Sequence, residues 1–250
     1  MKKGQLIISS FSCLVVLFVM SGLFAGESSK QARKELVAIG ITPNQGSFNE
    51  AARRFDKDAL ELFVQVNGLS LEEALVVAVE ESNDDSIIFF LKAGVNPDTK
   101  KQDQFEVPII VIASENNDLA TVKNLEKYGV NFGATSKVGN NALIIVSGKR
   151  ESEDLFYFIL SKMIKEKADV SHANSTGWTA VMGATTIGDT KRVESLLAVN
   201  ADVTIASQLG TATKVAEMGG YTELAAILRK VEIEQNLKKT TEAVAVSQND

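Results

Sequence analysis

Cysteine and histidine are nearly absent: Cys13 and His172 each stand alone. Cys13 lies inside an N-terminal apolar run, so removal of that run would leave no thiol. Disulfides, a cysteine nucleophile and a zinc cluster would all be excluded. One histidine cannot build a multi-histidine metal site or a histidine-assisted nucleophile. No Gly-rich phosphate loop of either common pattern occurs. No segment alternates apolar and polar residues long enough to make a real sheet. Glu80-Glu81 and Asp84-Asp85 bring carboxylates together, but at a turn between helices, where solvated caps are expected rather than an acid/base pair. The chain is therefore not read as an enzyme, and no catalytic, cofactor or metal residue is expected.

Basic charge is also in deficit. The chain has 26 Lys and Arg against 32 Asp and Glu; without Lys2 and Lys3 the balance is 24 against 32, a net of −8. Nucleic acid is not an expected partner, because binding it requires a basic face that neutralises phosphates. Anionic membrane is disfavoured for the same reason. Lys100-Lys101 is a local pair followed at once by Asp103 and Glu106.

Residues 1–25 have the build of a secretory signal peptide: Lys2 and Lys3, an apolar stretch over 6–20, and a small residue, Ala25, before Gly26-Glu27-Ser28-Ser29. The short basic start points to a bacterial protein, exported to the periplasm or beyond. An uncleaved anchor is the alternative, since no charge interrupts 4–26 and about 20 apolar residues can cross a bilayer. Membrane association is expected only in that case. A lipoprotein reading would need Cys13, which sits within the apolar run.

From Ala51 onward one pattern recurs six times: a short helix with small residues, a tight turn, a second helix rich in Leu, Ile and Phe, then Gly/Asn, Ala/Val and Asp/Asn. Two copies are Thr179-Ala180-Val181-Met182-Gly183-Ala184, running on to 196–203, and 78–95, which closes on Phe89-Phe90-Leu91-Lys92-Ala93-Gly94-Val95 and is followed by Asn96. Aligned on the residue midway through each first helix, the copies fall at Ala51, Ala78, Ile112, Val146, Ala184 and Ala216, with spacings of 27, 34, 34, 38 and 32. The short step leaves no room for a projecting hairpin at 67–73, where Ser70-x-x-Glu73 reads as a capping box. The long step is assigned to an expanded turn at 148–153, expected to bulge from the scaffold. Leu224, Ile227 and Leu228, and likewise Val193, Leu196 and Leu197, recur at helical spacing, so each helix buries one stripe. Small residues such as Gly183 allow close helix approach.

These copies resemble ankyrin repeats, a β-turn plus two helices in about 33 residues. The resemblance covers 34–231. It implies an all-α ankyrin-repeat solenoid of about six helix-pair repeats. Residues 36–43 resemble 91–97 and supply an N-terminal half-repeat cap. Residues 26–33 are expected as a polar N-terminal segment, and 232–250 as a helix end and disordered tail. Only Val107-Pro108 keeps the family's proline after the turn, and Glu126 occupies a usually apolar position of the second helix.

A solenoid of this kind binds other proteins far more often than it catalyses. The resemblance places fingers and first helices along one concave side. The candidate protein-binding residues are then Lys100, Lys101, Gln104 and Phe105 on one finger, Ser136 and Lys137 on the next, Asn174 and Trp178 on the third, and Gln208 on the last; an ordinary exposed loop is the alternative for each. Trp178 either braces a neighbouring finger or faces a partner. His172 is read as a loop histidine bonded to local backbone, with a pH-responsive contact as the alternative. Met182 reads as repeat packing. Asn174-Ser175-Thr176 fits a glycosylation acceptor, which matters only in a eukaryotic secretory pathway. The expected function is an exported, monomeric scaffold that holds another protein in the cell envelope; the alternative is a secreted effector engaging host proteins. Intact mass of the exported protein should give a chain beginning at or near Gly26; a membrane-fixed species retaining Met1 would establish the anchor instead.

Overall fold

The computed structural model describes residues 25–247. The expected export segment, apart from Ala25, and the last residues of the tail, 248–250, lie outside them. Among the described residues the protein is all-helical, with thirteen α-helices and β pairing confined to isolated bridges. Where the sequence suggests one domain over 34–231, contacts gather into two compact units, within residues 1–99 and 100–250.

The first unit contains α1 (Ala25–Ala38), α2 (Gln45–Arg54), α3 (Lys57–Phe63), α4 (Leu71–Glu80) and α5 (Asp84–Lys92). The helices α2 and α3 form one pair, α4 and α5 a second, and α2 packs on α4, with Ala51, Ala52 and Ala78 buried. Phe48 is the centre of this core, stacked on Phe63 at 5.0 Å and edge-on to Phe90 at 5.7 Å between ring centroids. Helix α1 lies against α3. It starts well before the polar segment expected over 26–33 ends, because Ser29, Ala32 and Leu36 fall on one face and are buried. Ser29 accepts a hydrogen bond from Asn67 N–H at 2.9 Å, and Arg33 donates to Asn67 O at 2.9 Å.

No β bridge forms in residues 64–70, consistent with the short step. Only half of the expected capping box forms there. Ser70 Oγ accepts from Glu73 N–H at 3.0 Å, but the Glu73 carboxylate accepts from Asn49 at 2.7 Å instead of reaching back. The Ser70 N–H donates to Gln45 Oε1 at 2.7 Å, and Gln45 Nε2 returns a bond to Ser70 O at 3.0 Å. A side chain of the preceding pair thus substitutes for the box.

The second unit contains α6 (Ile109–Glu115), α7 (Leu119–Lys127), α8 (Ala142–Ser147), α9 (Glu153–Glu166), α10 (Ala180–Thr186), α11 (Thr190–Ala198), α12 (Ala212–Met218) and α13 (Thr222–Ser247). They pair in order, and the first members α6, α8, α10 and α12 pack in series. Ile112, Val146, Ala184 and Ala216 are all buried where the series meets. A Cβ on Gly183 would stand 3.1 Å from Gly148 N, so glycine there permits α10 to approach the end of α8.

Four of the six turns inside the pairs share a device. A residue with left-handed backbone precedes an N-cap Asp or Asn at Phe55-Asp56, Ser82-Asn83, Asn117-Asp118 and Gly188-Asp189. The first residue reverses the chain, and the second accepts the N–H three residues on. The α8–α9 turn departs from this, since Ser152 makes no side-chain cap hydrogen bond. The extra length of this repeat lies mainly in its second helix, 14 residues in α9 against 9 in α7 and α11, and only secondarily in the turn. Apolar and charged residues, interrupted only by Ser161, run on to Lys167, which ends the helix in left-handed backbone.

Nor does that turn stand free. Arg192, 1% exposed, reaches back from α11 and donates to the carbonyls of Val146 at 2.9 Å, Lys149 at 2.7 Å and Arg150 at 3.3 Å. Its guanidinium also lies over the Phe156 ring at 5.2 Å, and its Nε is 3.0 Å from Asp189 Oδ2, an ion contact without an aligned hydrogen bond. On the other side Asn117 Nδ2 donates to Glu151 O at 3.1 Å. In the first unit Ser86 holds the corresponding place, three residues after its N-cap, and donates to Ala52 O at 2.5 Å. The longer turn takes the longer arm.

Glu126 is neutralised by Lys162 at 2.6 Å, and that hydrogen bond holds its carboxyl below the ordinary value. Helix α13 likewise runs past its expected end. Gln235 accepts from Val203 N–H and donates to Ala201 O, both at 2.9 Å, and Lys239 pairs with Asp202 at 2.7 Å. Docking therefore extends to residue 239, and the helix itself to Ser247. Burial pushes the Asp202 carboxyl up, but hydrogen bonds from Lys239 and Thr204 outweigh it and leave it below the ordinary value. A lowered value means that this contribution is full above the usual aspartate range and disappears as acid titrates the folded carboxyl.

Replacement Arg192→Met should lower stability by about 2–4 kcal/mol, since it strips partners from carbonyls at the end of α8. Urea unfolding measures this, and the exposed change Arg150→Met serves as the near-neutral control.

Candidate functional site

Four hairpins project from the second unit, one ahead of α6 and three between its helix pairs, each closed by one bridge: Lys100 with Pro108, Thr135 with Asn141, Ala173 with Thr179, and Ser207 with Gly210. Each leads directly into the buried start of a first helix, which fixes one of its ends. Pro108, Asn141, Thr179 and Thr211 are the N-caps into which they run.

The hairpins are bonded to one another. Lys137 N–H donates to Phe105 O at 2.8 Å, and Ser175 N–H donates to Val138 O at 2.9 Å. Glycine permits this contact. A Cβ on Gly139 would stand 2.9 Å from Asn174 Cα, and one on Gly177 would stand 2.4 Å from Ala206 O; both glycines have positive φ. The tips therefore form one ledge whose spacing is held by backbone contacts.

The candidate residues divide into those that build the ledge and those that it presents. Lys100 Nζ donates to Thr135 O at 3.1 Å, binding the first hairpin to the second. Ser136 is buried, and its Oγ accepts from Asn140 N–H at 3.2 Å. Asn174 Oδ1 accepts from Thr176 N–H, Thr176 Oγ1 and Trp178 N–H, while Nδ2 donates to Asn140 Oδ1 at 2.8 Å. That amide nitrogen is committed to the neighbouring hairpin, which argues against the glycosylation reading. These three side chains work inside the ledge, whereas their repeat positions alone suggested outward display.

Facing solvent are Gln104, Phe105, Lys137 and Gln208. Lys137 pairs with Glu106 at 3.4 Å, and half-buried Lys101 with Asp103 at 4.0 Å. Trp178 is half-buried at the return of the third hairpin, its backbone carbonyl accepting from Asn174 N–H at 3.0 Å. Met182 is buried in α10. His172 bonds to Gly139 O at 2.8 Å, in the adjacent hairpin rather than in its own loop. A carbonyl only accepts, so Nε2 carries the proton.

Two apolar tip residues escaped the sequence reading. Val138 and Leu209 are exposed beside Lys137 and Gln208, Leu209 at 52%, and Phe105 is exposed at 45%. Their signal was an apolar residue inside a turn of Ser, Lys, Gly and Gln, where neither helix nor core requires one.

Among the described residues no group of three or more His, Cys, Asp or Glu is placed to hold a metal ion, and no helix is long and apolar enough to cross a membrane. No family model matches the chain, and no curated protein matches it.

The glycines offer a direct test of the ledge. Gly129→Ala, with positive φ but nothing within 4 Å of the added Cβ, should incur only the left-handed backbone cost of about 1 kcal/mol. Gly177→Ala meets Ala206 O at 2.4 Å as well, and should cost roughly 1–3 kcal/mol more. Denaturant midpoints of the two variants give the comparison.

Proposed function

We propose that the chain is an ankyrin-type repeat scaffold that binds another protein through the ledge of hairpin tips. The observation that carries this reading is the backbone bonding of Lys137 to Phe105 and Ser175 to Val138. Loops that serve only as connections have no need to be held in register. Loops that bind gain affinity from being ordered before the partner arrives. On this reading residues 34–231 are about six helix-pair repeats with α1 as an N-terminal cap, and each repeat touches chiefly its neighbours. The N-terminal segment supports export, and hence a partner in the cell envelope.

The exposed side chains support a protein partner in particular. Phe105, Val138 and Leu209 supply apolar contact area, with Gln104, Lys137 and Gln208 as polar neighbours. That mixture suits an interface core inside a wetter rim. A secreted effector that engages host proteins would use the same ledge, and fractionation separates the two: retention in the periplasm supports the scaffold, release into medium or host cytosol the effector.

Crosslinking capture by the exported protein provides the test. Phe105→Ala with Leu209→Ala should weaken capture by about 2 kcal/mol or more, roughly thirtyfold. Lys137→Glu should act mainly on association rate and its salt dependence. Leu196→Ala, which removes buried packing in α11, should reduce capture only as far as it unfolds the protein. Normal capture by all the tip variants would overturn the ledge assignment.

A further inference from the structure

Helix α13 is 26 residues long, whereas every other helix among the described residues has 14 or fewer. Its inner face is used as far as Lys239, through Leu224, Leu228, Gln235 and the Lys239 pair with Asp202. The opposite face carries Ile233, Leu237 and Val244, exposed at 54%, 64% and 49%. With Thr240 between them they recur at intervals of four, three and four. That is the spacing of a two-helix seam, in which apolar residues repeat every 3.5 positions. Single exposed apolar residues are ordinary, but a stripe in this register on a helix that outruns its own domain is not.

We propose that this stripe is the contact between two copies of the chain, paired through α13 in antiparallel orientation. Charge favours a second copy over a basic partner. The whole chain is acidic, at −6, yet α13 has four basic and four acidic residues and no net charge. A copy of the same helix can therefore approach it without the repulsion that other acidic surfaces of the chain would meet. The residues flanking the seam are Glu234, Asn236, Thr241 and Ala243, so each chain brings a single charge beside it. In the antiparallel register Ile233 packs beside the partner's Val244 and Leu237 beside the partner's Thr240. The two Glu234 carboxylates are then offset by about 13 Å along the axis. A parallel register would instead bring Lys230 against its own copy at the end of the stripe.

A seam of two heptads is too short to order free peptides, because helix nucleation is costly. Here the folded unit already holds the helix through residue 239, so association needs to bury the stripe without first forming the helix.

Light scattering on the purified protein, in the processed form that the cell makes, is the test, taken from micromolar to submillimolar concentration. The expected result is a mass rising with concentration towards twice that of one chain, and a dimer dissociation constant raised roughly tenfold or more by Ile233→Glu with Leu237→Glu. Both sites are exposed, so circular dichroism and melting should be unchanged at concentrations where both proteins are monomeric. A mass of one chain throughout, or a dimer that survives both substitutions, would overturn the proposal. Flotation of a monomeric wild type with phosphatidylglycerol vesicles, abolished by the same substitutions, would assign the stripe to a lipid surface instead.

Discussion

The backbone groups left over at the ends of very short helices are the constraint on which the rest of this structure depends. A helix of six or seven residues, such as α8 or α10, leaves most of its terminal N–H and C=O groups without a partner inside the helix. It is also far shorter than an isolated helix that persists in water. Side chains of adjacent pairs supply what is missing. Gln45 serves Ser70, Ser86 serves Ala52, and Arg192 serves Val146 and Lys149. Each pair thus completes another as well as burying apolar surface against it.

The same economy explains the hairpin ledge. Exposed loops ordinarily satisfy their backbone with water and remain mobile. Here Lys100, Ser136 and Asn174 spend their polar groups within or between hairpins, leaving Phe105, Val138 and Leu209 turned outward on an ordered frame. A surface that presents apolar side chains from a preorganised backbone loses little conformational freedom when it binds.

The helix pairs were legible in the sequence because small residues and apolar stripes recur at fixed intervals. The six aligned positions from Ala51 to Ala216 are buried without exception. The candidate site was legible only as a set of loops. Repeat position identifies a hairpin residue, but not whether its side chain turns to solvent or to the next hairpin. Asn174 shows the difference, since its four hydrogen bonds depend on Asn140, 34 positions away, and on local Thr176 and Trp178. The long step was misplaced for a related reason. Charged residues at 148–153 look like a loop insertion, whereas the added length lies mostly in α9.

By itself the sequence determined the all-helical class, the pairing period and the positions that must be buried, because periodic burial and local turn chemistry are properties of neighbouring residues. It determined too that disulfide, zinc-cluster and multi-histidine chemistry lack their parts. Tertiary structure alone decided that Arg192 is an internal strap rather than a surface charge, and that α13 is docked as far as Lys239 and continues as helix to Ser247. Both outcomes rest on bonds to carbonyls and amides of another pair. The direction in which those groups point is set only once the helices have packed.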